Sequence, residues 1–229
     1  MTTTHPRIRP SQRLERLEGY AFDLVQKRVD ALRDQGIEPI DFGVGDPTVP
    51  TPAVARERLK TAVDERAASG YPSYQGDPSY RAACAAWMQR RFGVACDPER
   101  EVCATIGSKE AVFNVHEALL DPGDLILVPS PGYPPYKRGA AFAEGTPWFY
   151  PLEQANGYLP DLDAIPEDVA ERARAIWVCY PNSPTGAVAD RAFYERLLGK
   201  ADRHGWAVLS DEAYSEIYYG EEKPLSLLE

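Results

Sequence analysis

Apolar and polar positions alternate along this chain in two different rhythms. In the first hundred residues the spacing is helical. Tyr20, Leu24, Val25, Val29 and Leu32 recur near the period of a helix and are closed by Gly36, which predicts a helix over residues 20–35. The preceding residues 1–19 read as an arm. Ile40-Asp41-Phe42-Gly43-Val44-Gly45-Asp46-Pro47 reads as a short strand that breaks into a Gly/Pro loop. Thr51-Pro52 predicts an N-cap followed by proline at the first helical position, with the helix running to about Ser69. Residues 71–76 form a loop. Asp77-Pro78 opens another helix, which Gly93 stops.

From Glu101 onward the rhythm shortens. Apolar runs at Val102–Ile106, Leu125–Val128, Trp148–Leu152, Ala175–Tyr180 and Trp206–Leu209 predict strands. Between them, Ser108–Leu120, Tyr133–Phe142, Pro166–Arg172 and Asp190–His204 predict helices. Such alternation predicts an α/β fold: a mostly parallel sheet covered by helices on both faces, with right-handed crossovers.

Composition narrows the function. The chain has 229 residues, 44% of them apolar and 26% charged, which is ordinary for a folded domain. A chain of this size buries roughly 70% of its unfolded surface, so a real core is expected. The net charge of −10 argues against a general nucleic-acid binder, which needs a basic face. It leaves room for a local basic pocket that holds one phosphate. No apolar run approaches the roughly 18 residues of a membrane span, and residues 1–19 lack the apolar centre of a secretory signal. Cys84, Cys96, Cys103 and Cys179 form no CxxC pair, and His5, His116 and His204 are isolated. That spacing fits neither a zinc site nor a disulfide scaffold, so no metal is expected and a reducing, cytoplasmic setting is.

In open α/β sheets, ligands sit beyond the carboxyl ends of the strands. Four predicted strand ends carry chemistry: Gly107-Ser108-Lys109-Glu110, Pro129-Ser130-Pro131-Gly132-Tyr133, Pro181-Asn182-Ser183-Pro184-Thr185-Gly186, and Ser210-Asp211-Glu212-Ala213-Tyr214. Gly107-Ser108-Lys109 opens a helix whose N–H groups, hydroxyl and ammonium can together hold a phosphate. It also reads as a plain helix cap with a solvated lysine. Neither a P-loop nor a GxGxxG motif is present. Asp211 and Glu212 are adjacent on a strand and point to opposite faces, so they do not suit a glycosidase pair. Asp211 alone can keep a heterocyclic nitrogen protonated, or simply cap the next helix.

Together these four segments resemble the class I/II aminotransferases of fold type I, which use pyridoxal 5′-phosphate. Pro181-Asn182-Ser183-Pro184-Thr185-Gly186 and Asp211-Glu212-Ala213-Tyr214 match the family's PN-x-PTG and D-E/N-x-Y patterns at the family's spacing. Asp41–Pro47, Pro50-Thr51-Pro52, Tyr71–Gly76, Gly107–Glu110, Pro129–Tyr136 and Tyr214-Ser215-Glu216-Ile217-Tyr218 are similar to the LL-diaminopimelate aminotransferase subgroup. The resemblance implies a fold-type-I large domain, α/β/α with a mostly parallel sheet, incomplete at its C-terminus. Residues 1–50 would form the arm and part of a small domain, and residues 51–229 part of the cofactor domain.

It also implies roles. Ser108 and Lys109 bind the cofactor phosphate. Tyr133 stacks on the pyridine ring. Asn182 and Tyr214 hydrogen-bond its phenolic oxygen, with Asn182 also on the substrate side. Asp211 pairs with the pyridine nitrogen. Gly45 offers its N–H to the substrate carboxylate, Tyr20 meets the substrate's far end, and Tyr71 reaches the cofactor phosphate of the neighbouring subunit. Plainer readings stand beside these: loop packing for Tyr71 and Tyr74, a core position for Tyr20, a turn for Gly45.

The family's Schiff-base lysine follows the D-x-x-Y motif, whereas this chain reaches Glu229 only fifteen residues after Tyr214. Lys27, Lys60, Lys109, Lys137, Lys200 and Lys223 all stand in other contexts. The expectation is therefore a partial aminotransferase without a catalytic residue of its own and inactive as it stands. The full protein would be a cytoplasmic homodimer acting on an amino acid and a 2-oxo acid. Diaminopimelate, its N-succinyl derivative, and aromatic or aliphatic amino acids all remain open as substrates. The alternative is a non-catalytic module that keeps the cofactor pocket, or a gene remnant. In the family, further sheet strands lie between the first strand and the rest. Val102–Ile106 is thus expected to lack its usual partners, and the chain to be poorly stable.

Overall fold

The computed structural model describes residues 8–229, apart from 16, 18, 20, 41, 43, 44, 46 and 47. Tyr20 and most of the Asp41–Pro47 segment therefore lie outside the described residues. Of the strand expected there, Ile40, Phe42 and Gly45 are described, and none is in a strand.

Residues 18–73 cluster as one compact unit, and residues 74–229 as another that takes in the short helix α1 (Gln12–Glu15). The first unit contains α2 (Ala21–Arg33) and α3 (Ala53–Glu65). Gly36, at φ +76°, ends the turn after α2. Thr51 does not cap α3. Pro52 takes the cap position and no side chain bonds the first free N–H groups. Pro52 supplies a preset backbone angle but no side-chain oxygen to accept a hydrogen bond. Val29 is buried, whereas Leu24, Val25, Val54, Leu59 and Val63 are exposed.

The second unit follows the predicted alternation. It begins with α4 (Pro78–Phe92) and α5 (Ser108–Leu119). Then come β1 (Leu125–Ser130), α6 (Pro134–Phe142), β2 (Thr146–Pro151) and α7 (Glu167–Arg172). The last elements are β3 (Ala173–Cys179), α8 (Arg191–His204) and β4 (Ala207–Asp211). The helix signals act as expected at α4. Asp77 accepts the Ser79 N–H, Pro78 fills the first turn, and Gly93 ends it in the left-handed conformation.

The sheet order is β2-β1-β3-β4, and every pair is parallel. Period-two alternation divides its side chains between two cores. Leu125, Leu127, Ile176 and Val178 pack toward Phe193, Leu197 and Ala201 of α8 and Val169 and Ala170 of α7. Ile126, Val128, Ala175, Trp177 and Cys179 pack toward Val112 of α5 and Tyr136 and Ala140 of α6. Each large apolar side chain sealed this way contributes about 1.5–3 kcal/mol.

Of the five strands predicted from Glu101 onward, four form. Val102–Ile106 does not. Its Ala104 N–H goes to Gln75 O (2.9 Å), and Ile106 is exposed. A strand needs a neighbour to satisfy its backbone groups. The described sheet ends at β4, which is only half-buried along its length.

Candidate functional site

Gly107 precedes α5 at φ +79°, a conformation that favours glycine. This turn sets Ser108 at the first helical position and Lys109 beside it, both exposed. The α5 N-terminus presents unpaired N–H groups and the positive end of the helix dipole. On the other side stands the end of β4. Ser108, Val112 and Val115 of α5, Trp177 of β3, and Leu209 and Asp211 of β4 line a cleft of about 520 Å³. A helix N-terminus and a carboxylate thus share one space with an aromatic residue.

Asp211 is held from two sides. Its Oδ2 accepts the Tyr136 hydroxyl (2.8 Å), and its Oδ1 accepts the Ala213 N–H (3.3 Å). Glu212 turns elsewhere: its Oε1 accepts the Ser210 hydroxyl (2.8 Å) and the Leu227 N–H (2.9 Å). Tyr136 is fully buried, and its ring stacks on Trp177 at 4.5 Å and 15°. Burial first, then Cys179 and Asp211, pushes its phenol well above the ordinary tyrosine range. It therefore stays protonated and acts as the donor. Trp177 donates its indole N–H to His116 Nε2 (2.9 Å). His116 is buried and its Nδ1 meets Phe113 O at 3.0 Å. With Nε2 accepting, Nδ1 carries the proton. Burial lowers the pKa of this imidazole below the ordinary histidine value.

The other expected site residues are distributed differently. Tyr133 is the N-cap residue of α6 and meets Tyr136 edge-on at 5.7 Å and 81°; it does not line the Asp211 cleft. Asn182 is buried in the Pro181–Gly186 loop. Its Nδ2 donates to Cys179 O (3.2 Å), and its Oδ1 accepts from the Thr185 hydroxyl (2.9 Å). It lines a second cleft of about 770 Å³, which it shares with Tyr214, Tyr218 and Lys223. Ser108 and Asp211 are brought together, then, and so are Asn182 and Tyr214, but as two separate clefts. Gly45 and Tyr71 belong to the 18–73 unit, where Tyr71 is fully exposed and open space surrounds Gly45. Tyr20 lies outside the described residues.

Arg91 anchors the segment that carries Tyr214. Its guanidinium bonds Glu216 (2.6 Å), Ser215 O (3.4 Å) and Pro224 O (3.1 Å). Sequence reasoning missed this clamp, and it missed Tyr136, Trp177 and His116. Two signals pointed to them: strand alternation sets Trp177 on one face with Ala175 and Cys179, and Val112 and His116 stand one helical turn apart.

Among the described residues no His/Cys/Asp/Glu group could hold a metal ion, and no helix is long and apolar enough to cross a membrane.

The family described as aminotransferase class I and II matches residues 37–229. An LL-diaminopimelate aminotransferase of Aquifex aeolicus is 46% identical over 219 residues, covering 96% of this chain and 57% of the relative. LL-diaminopimelate aminotransferase 2 of Trichormus variabilis is 44% identical over 220 residues, covering 96% and 56%. Among solved structures, apo-BacF from Bacillus subtilis superposes with a TM-score of 0.90 at 38% identity, covering 97% of this chain and 56% of that one. A single mutant of Thermus thermophilus aspartate aminotransferase gives 0.89 at 30%, covering 96% and 57%. The chain spans a little over half the length of the curated relatives it matches. Its parallel sheet is part of a fold-type-I large domain, and the enzymes of this family depend on pyridoxal phosphate. The chain belongs to the class I and II aminotransferases.

Proposed function

We propose that this chain is the N-terminal portion of an aminotransferase that moves an amino group between an amino acid and a 2-oxo acid. The observation that carries this is the cleft in which the α5 N-terminus at Ser108 and the carboxylate of Asp211 share one space. That donor set fits pyridoxal phosphate. Ser108 and Lys109 suit its phosphate, and Asp211 suits its pyridine nitrogen. Tyr133 would meet the ring, and Asn182 and Tyr214 its phenolic oxygen. Bound there, the cofactor supplies a reactive aldehyde and an electron-withdrawing ring. This chain's residues bind and orient it, and the Asp211 carboxylate keeps the ring nitrogen protonated.

LL-diaminopimelate is the amino donor this reading favours, because relatives at 42–46% identity carry that name. Gly45, Asn182 and Tyr20 would face the substrate, and residues 1–50 would form the arm and part of a small domain. The complete protein would be a cytoplasmic homodimer, with Tyr71 serving the neighbouring subunit's site. Exposed Leu24, Phe42, Val54, Leu59 and Tyr71 support such an interface.

The 229-residue chain should not transaminate, since none of its six lysines stands where the family's cofactor-linking lysine does. The test is borohydride reduction of the purified chain with pyridoxal phosphate, followed by peptide mapping. No modified lysine is expected. Stoichiometric labelling of a single lysine would overturn the inactivity.

A further inference from the structure

The carboxylate that faces the cleft does not orient itself. Asp211 sits at the end of an edge strand and is itself half-buried. One of its two donors is a neighbouring backbone N–H; the other is Tyr136, which comes from α6, seventy-five residues away in sequence.

Tyr136 in turn is fully enclosed. Its ring lies flat on Trp177. Trp177 is pinned by its N–H bond to His116, and His116 by its bond to Phe113 O. Gly139 of α6 closes against the same imidazole: a Cβ there would stand 2.3 Å from His116 Nδ1. Elements α5, α6, β3 and β4 thus meet in one buried chain of contacts that ends on Asp211 Oδ2. A purely structural tyrosine would only fill the core. This one gives its hydroxyl to Asp211, a carboxylate that lines the Ser108 cleft, while Glu212 beside it is taken up by Ser210 and Leu227.

We propose that Tyr136 is a positioning residue for Asp211, and that Trp177 and His116 hold it in place. The tyrosine hydroxyl occupies one oxygen of Asp211 and fixes the plane of the carboxylate. This leaves the remaining acceptor capacity of the group for a protonated ring nitrogen in the cleft. The inference rests on the cofactor reading above and deepens it.

The test compares the protein with Asp211→Asn, Tyr136→Phe and Trp177→Phe. Pyridoxal phosphate labelled at its ring nitrogen is titrated into each, and affinity and the ring-nitrogen NMR resonance are read. Tyr136→Phe keeps the stacked ring and removes only the hydroxyl. It should weaken cofactor affinity by about three- to tenfold, the worth of one ordinary hydrogen bond. It should also move the ring-nitrogen resonance part of the way toward its position in Asp211→Asn. Trp177→Phe should move it in the same direction by less. A Tyr136→Phe resonance equal to the parent's, with affinity within about twofold, overturns the inference while leaving the role of Asp211 intact. If Tyr136→Phe does not fold, Trp177→Phe decides, and an unmoved resonance there overturns the inference. A parent that takes up no pyridoxal phosphate overturns the cofactor reading and this inference together.

Discussion

The indole N–H of Trp177 is donated to Nε2 of His116 across 2.9 Å, deep between α5 and β3. A buried histidine that accepts a hydrogen bond must be neutral, and this has a consequence for stability. Burial lowers the pKa of His116 below the ordinary value of 6.5. Below about pH 6.5 the unfolded chain takes up a proton that the folded chain refuses. His116 therefore stabilises the fold fully above that pH, and its contribution declines as the pH falls from there toward its lowered folded value. Urea denaturation at pH 7.5 and 5.5 should show lower stability at 5.5, with a slope of at most about 1.4 kcal/mol per pH unit from this group. In His116→Gln the slope over that window should flatten. An unchanged slope would mean that other groups set it.

Gly139→Ala tests the close approach of α5 and α6. The added methyl would stand 2.3 Å from His116 Nδ1 and 2.7 Å from Phe113 O. Forcing the helices apart should cost about 1–3 kcal/mol. A urea midpoint unchanged from the parent would show that the two helices are not in such contact.

Arg91 makes its bonds to Ser215 O, Pro224 O and Glu216 from a nearly buried position. Arg91→Met should destabilise the chain by about 2–3 kcal/mol, because two carbonyls lose their donor while half-exposed Glu216 turns to water. Amide exchange at residues 213–225 should quicken most. Uniform quickening across the sheet would argue against a local clamp.

The two predicted caps behave differently. Asp77→Ala removes the acceptor of the Ser79 N–H and should cost about 1 kcal/mol. Thr51→Ala removes no capping bond and should fall within about 0.5 kcal/mol of the parent. Equal losses at both positions would contradict the observed cap of α3.

The outer edge of β4 is unpaired among the described residues, and Ile106 and the 102–106 segment stay out of the sheet. Exposed strand edges template association. The purified 229-residue chain should show concentration-dependent light scattering on warming. A cooperative, monomeric thermal melt is the outcome that sinks this expectation.

Local chemistry alone announced much of this fold. The Asp77-Pro78 start and Gly93 stop of α4 needed no tertiary contact to be legible, because capping satisfies backbone groups from within the segment. The runs at Leu125, Trp148, Ala175 and Trp206 read as strands because short apolar runs alternate there with helical stretches. The PN-x-PTG and D-E/N-x-Y spacings named the family, and Ser108 and Asp211 marked the two sides of the cleft.

Tertiary structure decided the rest. Val102–Ile106 has the composition of a strand, yet strand formation depends on a partner that local sequence does not supply. Thr51 looked like a cap, but Pro52 took the position. That Asp211 is held by Tyr136, and that Trp177 and His116 stand behind that tyrosine, comes from four elements converging across long separations in the chain. Such contacts exist only once the sheet has brought α5, α6, β3 and β4 together. Periodicity records which face a side chain takes; which partner waits on that face is settled by packing.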